Sequence, residues 1–126
     1  MEILFVILRT TNNMKKIEIT SNQGKIASYA KAISHPTRVA IMFFLANREE
    51  DCYFSDIHDV LNIAKPTLSQ HLNELKKTGL VLNEVRAPKV RYYINRSEWD
   101  EMRHLFADLF NICGCEREKC ECECCS

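Results

Sequence analysis

The chain has 126 residues, 46% of them hydrophobic and 27% charged, with 17 Lys+Arg against 17 Asp+Glu. That length suits one domain of about 100 residues, with a modest core that would gain from dimerisation, and leaves little room for a second. The zero net charge hides a split, because residues through Arg96 hold 14 Lys+Arg to 9 Asp+Glu whereas those from Ser97 hold 3 to 8, so the first part suits a polyanion and the second attracts cations.

Ile3 to Leu8 is continuously apolar. It lacks the basic flank and small-residue cleavage site of an export signal, and it falls far short of the roughly 20 apolar residues of a membrane span. A cytoplasmic protein without a membrane partner is therefore expected. Met14-Lys15-Lys16 reads as an ordinary start, so residues 1–13 are expected to be an N-terminal extension outside the fold, the alternative being an extra helix or strand packed on it. The domain proper is expected over residues 14–112 and a cysteine-rich tail over residues 113–126.

Ile26, Tyr29, Ala30 and Ile33 recur at helical spacing, and the run stops at Ser34-His35-Pro36, because the residue before a proline is pushed out of helical geometry. A second helix begins at Pro36 or Thr37, is expected to bury Val39, Met42, Phe43 and Ala46, and gives way to the charged loop Asn47 to Asp51. A third fits Ser55 as N-cap, with Asp56 in its first turn and Ile57, Val60 and Leu61 inward. After Asn62-Ile63-Ala64, a fourth opens at Lys65-Pro66, turns Leu68, Leu72 and Leu75 to one face, and stops at Thr78-Gly79. A short helix, a tight turn and a second helix with a polar outward face make a helix-turn-helix.

Leu80 to Arg86 and Val90 to Ile94 are rich in β-branched, aliphatic and aromatic residues and flank Ala87-Pro88-Lys89, which predicts a β-hairpin. Arg86, Lys89 and Arg91 sit at or near its tip. Alone, such a hairpin would be a solvated surface feature; directly after a helix-turn-helix it is a basic wing able to lie along a phosphate backbone. Ser97-x-x-Asp100 predicts the start of a last helix, with Trp99, Met102, Leu105, Phe106, Leu109, Phe110 and Cys113 as an apolar stripe. That stripe needs either the domain's own core or a second subunit, and its aromatics favour a dimer interface.

The segment Ala32-Ile33-Ser34-His35-Pro36-Thr37-Arg38-Val39-Ala40-Ile41 resembles the opening motif of the ArsR/SmtB family of metal-responsive repressors. The segment from Lys65-Pro66-Thr67-Leu68-Ser69-Gln70-His71-Leu72 through Gly79-Leu80-Val81 resembles that family's recognition helix and the start of its wing. The resemblance implies a mainly α winged helix-turn-helix with a β-hairpin wing, a homodimer through the first and last helices. It implies double-stranded operator DNA as partner, bound without a cofactor and released when a toxic ion binds. The residues expected on DNA are Lys65, Thr67, Ser69, Gln70 and His71 from the recognition helix and Arg86, Lys89 and Arg91 from the wing. Gln70 can pair bidentately with adenine, whereas Thr67 and Ser69 suit phosphate or sugar. His71 is open to two readings, a DNA contact or a partly buried histidine tying the helix to the domain.

Six of the seven cysteines lie in the last fourteen residues, as Cys113, Cys115, Cys120, Cys122, Cys124 and Cys125. Thiolates so closely spaced can converge on one soft ion without a folded scaffold, whereas disulfides would need an oxidising compartment. The sensor patterns of the family are not reproduced: where one places a Cys-x-Cys pair at the third helix, Cys52 stands alone before Tyr53 and Phe54. Asp100, His104 and Asp108 share a helix face but do not match the family's zinc set, and they read as a solvated face. The sensing chemistry is therefore expected in the tail, with As(III) or Sb(III) as inducer held by three thiolates. Cadmium, lead, zinc, mercury or Cu(I) is the alternative. Other readings are a metal-buffering protein and a thiol redox sensor using Cys124-Cys125. An enzyme is not expected, since no Cys-x-x-Cys precedes a helix and no Ser/His/Asp set or phosphate-binding glycine loop is present.

Overall fold

The computed structural model describes residues 16–112. The extension expected at residues 1–13 and all six tail cysteines lie outside the described residues. The elements, in chain order, are α1 (Ser21–Ala32), α2 (Pro36–Ala46), β1 (Cys52–Tyr53), α3 (Phe54–Leu61), α4 (Lys65–Lys77), β2 (Val81–Arg86), β3 (Lys89–Ile94) and α5 (Arg96–Phe110). This is a winged helix-turn-helix, as expected, with one short strand more than the sequence announced.

The boundaries follow local chemistry. The Thr20 hydroxyl accepts from the Gln23 amide while the Gln23 side chain accepts from the Thr20 amide, a reciprocal cap that starts α1. His35 starts α2, its Nδ1 accepting from the Thr37 amide at 3.1 Å, with Pro36 in the first turn. Asn62 closes α3 in a left-handed conformation, which asparagine tolerates better than most residues. Gly79, with φ 77°, ends α4; a β-carbon there would be strained and would also sit 3.3 Å from the Glu98 side chain.

Several expectations on facing and caps need correction. In α1 Tyr29 and Ala32 are buried and Ile26 and Ile33 pack partly buried against the core, whereas Ala30 is exposed. In α2 the core takes Ile41, Met42 and Leu45, whereas Val39, Phe43 and Ala46 are exposed. That helix is apolar almost all round, so periodicity could not choose its inward side. In α3 Ile57 is fully buried but Val60 is exposed. The cap of α3 lies at Tyr53, not Ser55, because Asp56 accepts the Tyr53 amide at 2.8 Å. The last helix begins at Arg96 with Asn95 as N-cap, so Ser97 is already inside it.

The sheet order is β1-β3-β2, all antiparallel. β2 and β3 pair from Val81 with Ile94 to Arg86 with Lys89, leaving a two-residue turn at Ala87-Pro88. β1 adds Cys52 opposite Tyr92 and Tyr53 opposite Arg91. The core gathers Ile41, Ile57, Leu68, Leu72, Leu75, Leu80 and Val81, each essentially inaccessible. α5 splits its stripe. Met102 and Leu105 are spent inside the protomer, while Leu109, Phe110 and Ile112 stay exposed, Phe110 by 73%. α1 and α5 are joined by the Tyr29 hydroxyl donating to Glu98 and by a Lys25–Glu101 ion pair.

Candidate nucleic-acid interface

α4 is held by Leu68, Leu72 and Leu75, all on one face and all fully buried. The opposite face is therefore fixed toward solvent, and it carries Lys65, Thr67, Ser69, Gln70 and Asn73, all exposed. The N-cap residue, Ala64, has no side chain to satisfy the first-turn amides, which leaves that end free to receive an anion such as a phosphate. Asn73, one turn on from Gln70 and Ser69, was not singled out in the sequence; its i+3 and i+4 spacing from those two was the available signal.

His71 is less exposed than these residues. It is half-buried, its ring 4.5 Å from that of His35. Burial, then the neighbouring His35 and Arg38 charges, hold its pKa below the ordinary value of 6.5. The contact with His35 ties α4 to the start of α2, and the same side chain also borders the outer flank of α4, so His71 has a place in both of its readings. Gln70, His71 and Asn73 line a broad depression on that flank together with Arg38, Glu74 and Lys77.

The wing brings a second set to the same side. Ser69 of α4 and Lys89 of β3 line one notch with Tyr53, Ser55 and Pro88, so recognition helix and wing tip face a common surface. The Lys89 ammonium lies 5.1 Å from the centre of the Tyr53 ring. Arg86 and Arg91 are exposed and half-buried respectively, and both are already paired. Arg91 reaches Asp51 at 2.6 Å and Glu84 at 3.4 Å; Arg86 reaches Asp51 at 3.0 Å and Glu84 at 3.4 Å. Three cations against two carboxylates leave the wing one net positive charge. Glu84 is set opposite Arg91 by the register of the two-residue turn, a pairing open to sequence inspection, whereas Asp51 reaches the wing only through the tertiary fold.

The possible sensor residues inside the domain are poorly suited to bind an ion. Cys52 is buried, and burial pushes its thiol up to about 11, so it is protonated and inert near neutrality. His104 Nδ1 lies 2.7 Å from the Asp100 carbonyl oxygen, Asp100 pairs with Arg103, and Asp108 is exposed. They form a solvated helix face, as expected. Among the described residues no group of three or more His, Cys, Asp or Glu is arranged to hold a metal ion.

Residues 35–82 match the family model for the bacterial regulatory proteins of the arsR family. An uncharacterized HTH-type transcriptional regulator of Methanocaldococcus jannaschii is 40% identical over 85 residues, 68% of this chain and 94% of that protein. The chain belongs to the arsR family. A further relative of this arsR-family chain is the cadmium resistance transcriptional regulatory protein CadC of Listeria innocua, 32% identical over 69 residues, 55% of this chain and 57% of that protein. Among solved structures, an ArsR-like transcriptional regulator from Rhodococcus superposes with a TM-score of 0.62 at 23% identity, covering 72% of this chain and 84% of that one, a likeness of fold. The arsR-family chain is thus a DNA-binding transcriptional regulator and not an enzyme. No helix among the described residues is long and apolar enough to cross a membrane.

Proposed function

We propose that this repressor is a homodimer that holds its operator through α4 and the wing and lets go when arsenite or antimonite is captured by thiolates of Cys113, Cys115, Cys120, Cys122, Cys124 and Cys125. The observation that carries the sensor half is the placement of six cysteines immediately after α5, set against a domain whose own Cys52 is buried and protonated. Three thiolates complete a trigonal As(III) site. The acidic residues among them raise the local attraction for cations.

On the DNA side, Lys65, Thr67 and Ser69 are assigned to phosphate and sugar and Gln70 to a base edge. Lys89 is assigned to the backbone beside the wing. Arg86 and Arg91 serve first to hold the wing against the loop before β1 through Asp51, with Glu84 pairing to them within the hairpin. The dimer would form through the first and last helices, α1 and α5, and the end of α5 leaves Leu109, Phe110 and Ile112 uncovered. Because the tail continues from that same end, ion capture there can bias how the two subunits meet. An ion releases DNA only if it favours the released arrangement.

The cadmium regulator among the relatives favours a second reading, in which the tail closes a tetrahedral cadmium site with four thiolates. Titration of the reduced dimer on its promoter DNA with arsenite, cadmium and zinc separates the two. Release at the lowest free concentration of arsenite supports the first reading, and selective release by cadmium supports the second. No release by any of the three defeats both.

A further inference from the structure

The outward face of α4 has two flanks. Ser69 borders the wing, in the notch with Lys89 and Pro88, whereas His71 borders the start of α2, in the depression with Arg38. Residues two apart on a helix point about 200° from one another, so the wing and the start of α2 stand on opposite sides of the recognition helix. A helix with its side chains is about 10–12 Å across, and the major groove of DNA is about 12 Å wide. A helix seated there has a phosphate backbone along each wall. The wing covers one wall. At the other stands α2, which is not one of the two helices of the helix-turn-helix.

The charges of this second flank do not cancel. Glu74 pairs with Lys77 at 2.6 Å, and His71, held mainly by burial below its ordinary pKa, adds no charge near neutrality. Arg38 and Lys77 against Glu74 leave one net positive charge, as the wing does on its side. Arg38 takes part in none of the ion pairs among the described residues. Its Nε is buried and has no hydrogen-bond partner there. The side chain is half-buried, so it loses little rotamer freedom on meeting a ligand, and a guanidinium offers a planar fork of donors that matches a phosphate.

We propose that Arg38 holds an operator phosphate on the groove wall opposite the wing, so that α2 and the wing clamp the two backbones while α4 reads the bases between them. The assignment rests on the same docking of α4 on the operator. Gln70 and Asn73 share the depression with Arg38, so a phosphate held there fixes the register at which those two amides meet base edges. Arg38 is thus a positioning residue for the base readers.

The experiment follows anisotropy of labelled operator and scrambled duplexes over a KCl series, with the reduced full chain and with Arg38→Gln, Arg38→Lys, Lys89→Ala and Gln70→Ala, each checked for a native melting transition. Arg38→Gln should flatten the slope of log K against log salt concentration by about 0.9 per protomer on both duplexes, and combined with Lys89→Ala by about 1.8. Arg38→Lys should keep most of the slope, because it keeps the charge. Phosphate-ethylation interference gives the place: Arg38→Gln should abolish interference at one phosphate in each half-site, across the groove from the phosphate lost with Lys89→Ala. An unchanged slope in Arg38→Gln, beside a loss of operator affinity in Gln70→Ala, would overturn the proposal and leave α4 on the operator. No effect of either change would remove both. If Arg38→Gln does not fold, the unaltered chain still decides, since ethylation that interferes on the wing side of the groove alone would also overturn the proposal.

Discussion

Lys89 and Glu84 test the electrostatic reading of the wing in opposite directions. Arg86, Lys89 and Arg91 face Asp51 and Glu84 within the protomer, so the wing presents one net positive charge to DNA. Each phosphate neutralised contributes about −0.9 to the slope of log K against log salt concentration. Lys89→Ala should therefore flatten the slope by about 0.9 per wing and weaken specific and random DNA alike. Glu84→Gln should do the reverse, because it frees the charge of Arg86 or Arg91 while keeping the side chain's shape. It should strengthen binding at low salt and steepen the slope by about 0.9 per wing. The assay is fluorescence anisotropy of labelled operator and scrambled duplexes over a series of KCl concentrations. If Glu84→Gln leaves affinity and slope unchanged while Lys89→Ala lowers both, the ion pairs are not restraining the arginines and the one-charge count is wrong. If neither change moves the slope, the wing does not lie along the backbone.

Gln70→Ala should cost about 1–3 kcal/mol at the operator and relax base preference, with little change in salt slope; equal losses on operator and random DNA would remove it as a base reader. Phe110→Glu should give a folded monomer by analytical ultracentrifugation, since Phe110 is exposed in the protomer and a charge there is costly only when a partner covers it. Leu105 would be a poor choice for that test, being buried in its own subunit. His71 favours its neutral form in the fold, because its pKa lies below 6.5. Its contribution to stability is full above that value and is lost as pH falls through it toward the folded pKa. Urea unfolding from pH 7.5 to 5 should show this loss, and His71→Phe should reduce it; an unchanged pH profile would contradict the placement against His35.

The helix-turn-helix was legible because Leu68, Leu72 and Leu75 lie on one face between a proline and a glycine, and each of these signals acts locally. The hairpin was legible for the same reason. β1 was not, since two residues carry no period, and Cys52-Tyr53 pairs with β3 only because the loop after α2 lies alongside it. The inward face of α2 was hidden by its apolar surroundings, and the split of the α5 stripe depends on how far α1 reaches along it. At the interface the exposed α4 residues followed from the leucine spacing. The pairing of Arg86 and Arg91 with Asp51 and the contact of His71 with His35 needed tertiary neighbours that lie more than thirty residues away in the chain.

The measurement that bears most directly on the sensor is operator release by a chain ending at Ile112, compared with the full chain. The account predicts that the shortened chain folds, dimerises and binds operator as the full chain does. The full chain should lose about 150-fold in affinity on adding arsenite if the coupling is about 3 kcal/mol, and the shortened chain should lose none. Normal release of the shortened chain by arsenite would place the site within residues 1–112 and contradict the assignment of sensing to the tail.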